Sequence, residues 1–259
     1  MLGAIIGDLA GSIYEFEQVK KHRNILIKNI IEEKSFFSDD TILTVAIADA
    51  ILNKKDYGDT LKKYALKYEN KMPKGIEYFK TMFSTGFIAW AKDEKQGQSR
   101  GNGAMMRISP VGFLFNTEND VIKNSYLATI PSHNSIEAIN CAKIVSLIIF
   151  YSRNGFSKKE IIDKLNLTIK KPNIEKFNYT CNDTIDICLY SFFTADSFEE
   201  SIRLAISFGG DTDTNACIVG SMAEAMYGID EELKRKAMKK LPIEFKTIIK
   251  DFYERINEK

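Results

Sequence analysis

The sequence predicts an all-α fold, a compact bundle of roughly ten or more helices that form a single domain over residues 1–259. Apolar residues recur with a helical period along nearly the whole chain. No stretch has the two-residue alternation of a strand, a hairpin signal or a strand–helix–strand rhythm. In addition, 44% of the residues are hydrophobic and 27% are charged, a balance typical of a globular protein with a sizeable core.

The first predicted helix, residues 2–16, carries Gly3, Gly7 and Gly11 at intervals of four residues. One stripe of this helix therefore lacks side chains and can lie close against another backbone. The other predicted helices are residues 41–52, 59–70, 77–92, 135–151, 198–208, 215–227, 230–240 and 243–256. Residues 93–104, with three glycines and no periodicity, are predicted to form a loop, and residues 170–183 a surface connection.

The composition argues against several kinds of partner. Because 36 basic residues balance 35 acidic ones, for a net charge of +1, we expect no nucleic-acid partner and no attraction to acidic membranes. The four cysteines form no CxxC pair, so we expect reduced core residues rather than zinc ligands. The N-terminus lacks the basic segment of a signal peptide, and the longest apolar run, residues 144–151, is too short to span a bilayer. We therefore expect a cytoplasmic monomer.

Two acidic clusters lie far apart in the sequence. Ser38-Asp39-Asp40-Thr41 is near the start, and Gly209-Gly210-Asp211-Thr212-Asp213-Thr214 is near the end. Each cluster precedes an apolar, helix-like segment. Four carboxylates that converge in a fold repel one another unless cations neutralise them, and hard divalent ions prefer such oxygen ligands. The sequence therefore predicts a metal site built from two distant helix starts.

The spacing inside each cluster predicts its local structure. Asp211 and Asp213 are two residues apart and would diverge on a helix, so we expect a turn made possible by Gly209 and Gly210, with the helix starting near residue 214. Ser38 is a natural N-cap for the helix that follows it. Taken separately, each cluster is also explained by capping, by a turn or by a single Ca²⁺ loop. The sequence has no P-loop or dinucleotide motif, although residues 101–104 suit a close approach of the backbone to a pyrophosphate.

The motifs together resemble the ADP-ribosylglycohydrolase family. The resemblance covers the chain from end to end, in the right order, through five blocks. These are Gly3-Ala4-Ile5-Ile6-Gly7-Asp8 with Gly11-Ser12 and Glu15, then Ser38-Asp39-Asp40-Thr41, Gly101-Asn102-Gly103-Ala104-Met105-Met106-Arg107, Ser132-His133 and Gly209-Gly210-Asp211-Thr212-Asp213-Thr214.

This resemblance implies an all-α fold with two divalent cations, Mg²⁺ or Mn²⁺, in a central cleft. It also implies hydrolysis of the glycosidic bond between ADP-ribose and an acceptor, either an ADP-ribosylated protein side chain or a small ADP-ribose derivative. By position, the implied metal ligands are Ser38, Asp39, Asp40, Asp211, Asp213 and Thr214. The implied catalytic residues are Glu15, Asp39 and Asp40. The implied substrate-binding residues are Gly101, Asn102, Gly103, Ala104, Met105, Arg107 and His133.

Several alternatives stay open at this stage. His133 suits a helix cap or a core position as well as a ligand contact, and Arg107 suits either a pyrophosphate contact or a buried salt bridge. For Asp8 we favour a hydrogen bond within the helix packing. The candidates for stacking on adenine are Phe87, Trp90, Phe113 and Tyr126, although for each of them we favour a core position over a stacking platform. The rival functions are a binuclear-metal hydrolase of another nucleotide or phosphorylated small molecule, an ADP-ribose-binding module without turnover, and a crystallin-like structural relative.

Overall fold

A computed structural model describes residues 1–15, 27–71, 82–93, 95, 97–174 and 176–258, and these residues form an all-α structure. The helices are α1 (Leu2–Gly11), α2 (Asp39–Leu52), α3 (Tyr57–Tyr68), α4 (Thr85–Lys92), α5 (Gly103–Met106), α6 (Ser109–Leu114), α7 (Glu118–Thr129), α8 (Ile136–Arg153), α9 (Lys158–Leu165), α10 (Cys181–Thr194), α11 (Phe198–Ser207), α12 (Thr212–Tyr227), α13 (Glu231–Lys240) and α14 (Ile243–Asn257). The only extended pairing within these ranges consists of isolated bridges. The predicted fold class is confirmed.

The helix boundaries differ from the prediction in several places. The first helix ends at Gly11, where the Ser12 hydroxyl donates to the Leu9 carbonyl 3.0 Å away. The surface connection predicted over residues 170–183 ends before Cys181, where α10 begins. Helices α5, α6, α7, α9 and α10 were not predicted. The predicted helical residues 77–81 lie outside the described residues, and α4 begins only at Thr85, after the N-cap Ser84.

Three helices form the centre of the structure. Nearly all residues of α1, of α2 up to Ala50 and of α12 up to Ala223 are buried, as expected for helices that are apolar on all sides. α1 and α11 pack against α12, while α3, α6 and α14 pack against α2. The four cysteines are free and buried, as predicted. No helix of the described residues is long and apolar enough to cross a membrane.

The glycine stripe of α1 lies directly against the backbone of α12, as the sequence predicted. A Cβ atom added at Gly3, Gly7 or Gly11 would lie 2.2, 1.9 or 2.3 Å from the carbonyl oxygens of Gly220, Ala216 and Thr212, respectively. The two helices therefore run antiparallel, and the end of α1 lies beside the start of α12. The Thr212 hydroxyl donates to the Gly11 carbonyl at 2.9 Å and holds this end together.

We expect Gly7→Ala to lower the free energy of unfolding by about 3 kcal/mol or more, because the added methyl group would overlap a backbone oxygen that cannot move away without separating the helices. Chemical denaturation measures the effect. Gly86→Ala is the matched control: nothing lies within 4 Å of a Cβ at this helical position, so its stability should be unchanged or slightly raised. Equal stabilities for the two variants would contradict the close contact.

Candidate active site

The first acidic cluster is held at the start of α2 by capping interactions. The Ser38 hydroxyl accepts a hydrogen bond from the Asp40 amide at 3.2 Å, which confirms Ser38 as the N-cap. The buried carboxylate of Asp8, on α1, accepts the amides of Ser38 at 2.9 Å and of Thr41 at 3.1 Å, together with the Thr41 hydroxyl. Asp8 thus ties α1 to the first turn of α2, and the favoured interpretation of it as a packing residue agrees with these bonds.

The second acidic cluster is held at the start of α12 by a glycine turn and two amide side chains. Gly209 and Gly210 have φ values of 73° and 71°, so the predicted need for glycine at this turn is confirmed. The Asn178 side chain accepts the Asp211 amide at 3.1 Å and donates to Asn215 at 2.7 Å. The helix itself starts at Thr212, two residues earlier than predicted. Asp211 is its N-cap and Asp213 lies in its first turn, so the two carboxylates still converge.

The two clusters meet at Asp40. Its Oδ2 atom accepts hydrogen bonds from the Ser38 hydroxyl at 2.9 Å and from the Thr214 hydroxyl at 3.2 Å, and so joins α2 to α12. Its buried Oδ1 atom has no hydrogen-bond partner among the described residues. A buried carboxylate oxygen without a donor is costly unless a cation is bound to it, so this atom fits a metal ligand.

Carboxylates from three parts of the chain lie close enough to share an ion. Single carboxylate oxygens of Asp8, Asp40 and Asp213 lie within 4.8 Å of one another, and so do those of Glu15, Asp211 and Asp213. Asp213 belongs to both groups. Carboxylates with neighbouring hydroxyls are the oxygen donors that Mg²⁺ and Mn²⁺ prefer. The donor set therefore fits hard divalent cations, and Asp213 lies where it could serve either group.

The pKa values of these groups reflect the crowding of negative charge. Burial, and then the charge of Asp213, raise the pKa of Asp8 to about 7 and the pKa of Glu15 to about 11. The same two causes raise the pKa values of Asp39, Asp40 and Asp211 well above their usual range. Without cations, Glu15 therefore holds a proton at neutral pH, and Asp8 is partly protonated.

This protonation predicts how stability depends on pH in protein freed of metal. Between about pH 5 and pH 8 the unfolded chain has already released protons that folded Asp8 and Glu15 retain, so the free energy of unfolding should fall as the pH rises. Added Mg²⁺ should stabilise the fold more at about pH 8 than at about pH 5, because it then competes with fewer protons. Denaturant midpoints with chelator and with Mg²⁺ measure both effects. A midpoint in chelator that rises over this range would contradict the crowded carboxylates.

A cavity of about 1020 Å³ opens above the acidic groups, at the upper end of the range for small-molecule sites. All the predicted metal ligands and Glu15 line it, together with four of the predicted substrate-binding residues, Gly101, Asn102, Gly103 and His133. Asn102 also reaches the acidic groups, because its side-chain amide donates a hydrogen bond to Asp211 Oδ2 at 2.7 Å. The implied metal ligands, Glu15 and four of the implied substrate-binding residues therefore surround one cavity.

Three predicted substrate-binding residues do not line this cavity. Ala104, Met105 and Arg107 are fully buried behind it. Ala104 and Met105 belong to α5, which turns them into the core. Neither interpretation of Arg107 holds: no carboxylate of the described residues pairs with it, and it does not reach the cavity. Its Nη2 atom donates to the Ala128 carbonyl at 3.2 Å and to the Ser132 hydroxyl at 2.7 Å.

The aromatic candidates separate into two pairs. Phe87 and Trp90, on α4, line the cavity. Phe113 packs instead against Phe252, with ring centroids 6.1 Å apart, and Tyr126 is 46% exposed on α7, outside the cavity. Phe113 therefore lies in the core, the position favoured for it from the sequence, and neither Phe113 nor Tyr126 is placed to stack on an adenine in this cavity.

Sequence reasoning missed other residues of the cavity wall. Phe177 and Tyr179 line the cavity from the segment before α10, and Tyr179 is 62% exposed at its edge. This segment was assigned to a surface connection. The backbone amide of Asn102 donates a hydrogen bond to the Tyr179 carbonyl at 3.0 Å. This bond brings the segment to the glycine loop, residues 101–103. The sequence signal that could have identified this part of the wall is the pair of aromatic residues, Phe177 and Tyr179, in an otherwise polar stretch.

The chain is similar to known proteins in sequence and in fold. A family model described as ADP-ribosylglycohydrolase matches residues 1–259. The chain is 21% identical to ADP-ribosylarginine hydrolase Tri1 of Pseudomonas putida (strain GB-1), over 88% of this chain and 70% of that protein. It is 22% identical to ADP-ribosylhydrolase ARH3 of Mus musculus, over 89% and 83% of the two chains. A solved structure titled ADP-ribosylglycohydrolase-related protein complex has a similar fold, with a TM-score of 0.72, 20% identity and coverage of 98% and 95%.

Proposed function

This chain belongs to the ADP-ribosylglycohydrolase family and is a hydrolase, and we propose that it uses two divalent cations to cleave the glycosidic bond between ADP-ribose and an acceptor. The acceptor is a protein side chain or a small molecule. One observation carries the proposal: the two acidic clusters converge with Glu15 on one wall of a cavity of about 1020 Å³. The glycine loop and aromatic side chains form other parts of that wall.

The residues proposed to hold the cations come from the starts of α2 and α12. They are Ser38, Asp39, Asp40, Asp211, Asp213 and Thr214. Mg²⁺ or Mn²⁺ suits these oxygen donors. When bound, the cations would supply Lewis acidity towards the distal ribose and would neutralise these carboxylates. Asn102 orients Asp211 through its hydrogen bond of 2.7 Å.

The protein's own groups then support the departure of the acceptor. As the bond from the anomeric carbon to the acceptor breaks, positive charge develops on the ribose, and the carboxylates of Asp39 and Asp40 stabilise it. Glu15 accepts a proton from the attacking water, whose oxygen forms the new bond to the anomeric carbon. The proton ends on the departing acceptor. Phe87 and Trp90 give the same cavity an apolar part of its wall.

Assays with defined substrates test the proposal. Peptides that carry ADP-ribose on arginine or on serine, and small ADP-ribose derivatives, are incubated with Mg²⁺, with Mn²⁺ or with chelator. We expect release of free ADP-ribose from at least one substrate, and only with a cation. Release of AMP or phosphate instead would indicate a hydrolase of another nucleotide bond. Tight ADP-ribose binding without any release would indicate a binding module.

A binding measurement tests the same site without turnover. With ligand at about a hundred times the dissociation constant, ADP-ribose should stabilise the fold by about 2.7 kcal/mol in the presence of cation. ADP, which lacks the distal ribose diol, should stabilise it much less. Gly103→Val should remove the ADP-ribose shift while the cations stay bound, because a Cβ at this position would lie only 3.2 Å from His133 Nε2. Equal shifts from the two ligands, or a shift that survives chelation, would contradict the diol contact.

A further inference from the structure

A buried cation lies behind the wall of the cavity. The Arg107 guanidinium is completely buried, and no carboxylate of the described residues is paired with it. Its Nε and Nη1 atoms have no hydrogen-bond partner within the same ranges. The partial negative charge of the last carbonyls of α7, such as that of Ala128, and the Phe87 ring 5.9 Å away compensate only part of this charge. An unpaired buried charge costs several kcal/mol, so this arginine requires another explanation.

Ser132 connects the guanidinium to His133. Arg107 Nη2 lies 2.7 Å from Ser132 Oγ, and Ser132 Oγ lies 2.7 Å from His133 Nδ1. A guanidinium can only donate, so the serine oxygen accepts from Arg107 and its own hydrogen is free to donate to Nδ1. With Nδ1 as an acceptor, the neutral imidazole carries its proton on Nε2. Burial, and then the charge of Arg107, lower the pKa of His133 and favour this neutral form.

The protonated nitrogen faces the glycine loop. A Cβ added at Gly103 or Gly101 would lie 3.2 or 3.5 Å from His133 Nε2, so only the absence of side chains at these positions leaves room beside it. The imidazole lines the cavity although His133 is only 4% exposed. Its backbone amide donates to the Thr129 carbonyl at 3.0 Å, at the end of α7, which fixes the ring's position relative to Arg107.

We propose that Arg107 and Ser132 are positioning residues that hold His133 as the Nε2–H tautomer, so that the ring donates a hydrogen bond to a phosphate oxygen of the substrate beside the glycine loop. This inference rests on the proposed function, in which the substrate carries a diphosphate. The diphosphate supplies negative charge that the described residues of the protein do not place against Arg107. Because the His133 imidazole lies between the Arg107 guanidinium and the diphosphate, Arg107 contributes to anion recognition without touching the ligand.

The tautomer is measured directly by ¹⁵N nuclear magnetic resonance. The chain has only two histidines, His22 and His133, so His22→Gln leaves a single imidazole to observe in the cation-loaded protein. We expect a protonated Nε2 and an unprotonated Nδ1 at neutral pH. Ser132→Ala should mix the tautomers, and Ser132→Thr, which keeps the hydroxyl, should restore the Nε2–H form. A protonated Nδ1 in the unsubstituted site, as the other tautomer or as imidazolium, would overturn the proposal.

Binding of ADP and adenosine separates phosphate recognition from general damage to the cavity. Because removing Arg107 endangers the fold, Ser132 carries this test. Ser132→Ala should weaken ADP binding about ten- to a hundredfold, the loss expected for one hydrogen bond to a charged group. Adenosine, which has no phosphate, should bind unchanged, and Ser132→Thr should recover the ADP affinity. Unchanged ADP affinity in Ser132→Ala, or an equal loss of affinity for adenosine, would overturn the proposed positioning of His133 by Ser132.

Kinetics distinguish a failure of this inference from a failure of the proposed function. In Ser132→Ala, the KM for the ADP-ribosylated substrate should rise about ten- to a hundredfold while kcat changes little, because phosphate contacts are remote from the bond that breaks. A fall in kcat with unchanged KM would overturn the positioning role. Absence of hydrolysis in the unsubstituted enzyme would refute the proposed function alone, since the tautomer and the ADP measurements do not require turnover.

Discussion

Asp213→Asn is expected to lower turnover by about 10³-fold or more, equivalent to about 4 kcal/mol of transition-state stabilisation. Asp213 is the one residue shared by both groups of carboxylates that lie within 4.8 Å. Its charge also contributes to the raised pKa values of Asp39, Asp40 and Asp211. Asparagine keeps the shape of the side chain and removes the charge that a divalent cation requires.

The structure of the variant should survive this change. Asp213 Oδ1 accepts the Thr214 amide at 2.9 Å, a bond that the asparagine carbonyl can also accept. Removing one buried negative charge also relieves repulsion in the protein without cations. We therefore expect helical content, measured by circular dichroism, to change little, and stability in chelator to be equal or higher. Calorimetric titration with Mg²⁺ or Mn²⁺ should show weaker binding.

A control substitution tests whether the loss of turnover comes from the charge lost within the site or from the change in the net charge of the protein. Asp49→Asn makes the same chemical change near the other end of α2, where the carboxylate pairs with Lys55 at 2.8 Å. This variant should lose some stability but keep cation affinity and turnover. Unchanged turnover in Asp213→Asn, or in chelator-treated enzyme, would contradict the two-cation mechanism.

The parts of the fold that local sequence determines were predicted correctly. A stripe of glycines demands a close backbone neighbour, and Gly209 and Gly210 demand a turn that few other residues adopt. Ser38 precedes an apolar run and caps it. These features depend on backbone geometry within a few residues, so the sequence alone contains them.

The missed helices also carried a local signal. Thr117 with Asp120, Ser157 with Glu160 and Thr180 with Asp183 each pair a capping hydroxyl with an acid three residues later, and these residues begin α7, α9 and α10. This is the pattern expected at a helix N-terminus. Apolar periodicity alone overlooked these helices because α7 and α9 are mostly polar.

The remaining features depend on contacts that no local pattern contains. Asn178 reaches Asp211 across 33 residues, and Arg107 reaches Ser132 across 25. Whether the arginine faced the cavity or the core depended on the direction of α5, a helix of 4 residues. Such long-range choices are made by packing, so the roles of Asn178 and Arg107 emerge only from the folded chain.

Glu15→Gln is expected to lower kcat by about 10²–10⁴-fold, the usual contribution of a general acid or base, while ADP-ribose affinity stays nearly unchanged. Glu15 lies just beyond the end of α1, which the antiparallel contact brings beside the start of α12. There it lines the cavity and lies within 4.8 Å of Asp211 and Asp213. Glutamine keeps the size of the side chain and cannot take up a proton from water.

The same variant decides between the two roles that this position offers. If Glu15 handles the proton, kcat falls while cation affinity stays close to that of the unsubstituted enzyme. If Glu15 is chiefly a cation ligand, its affinity for Mg²⁺ falls together with kcat, and high Mg²⁺ restores turnover. Glu69→Gln, which breaks an ion pair with Lys92 away from the cavity, should change neither quantity. A wild-type kcat in Glu15→Gln would reassign Glu15 to packing and leave an aspartate of the two acidic clusters as the proton acceptor, since Asp39, Asp40, Asp211 and Asp213 also line the cavity.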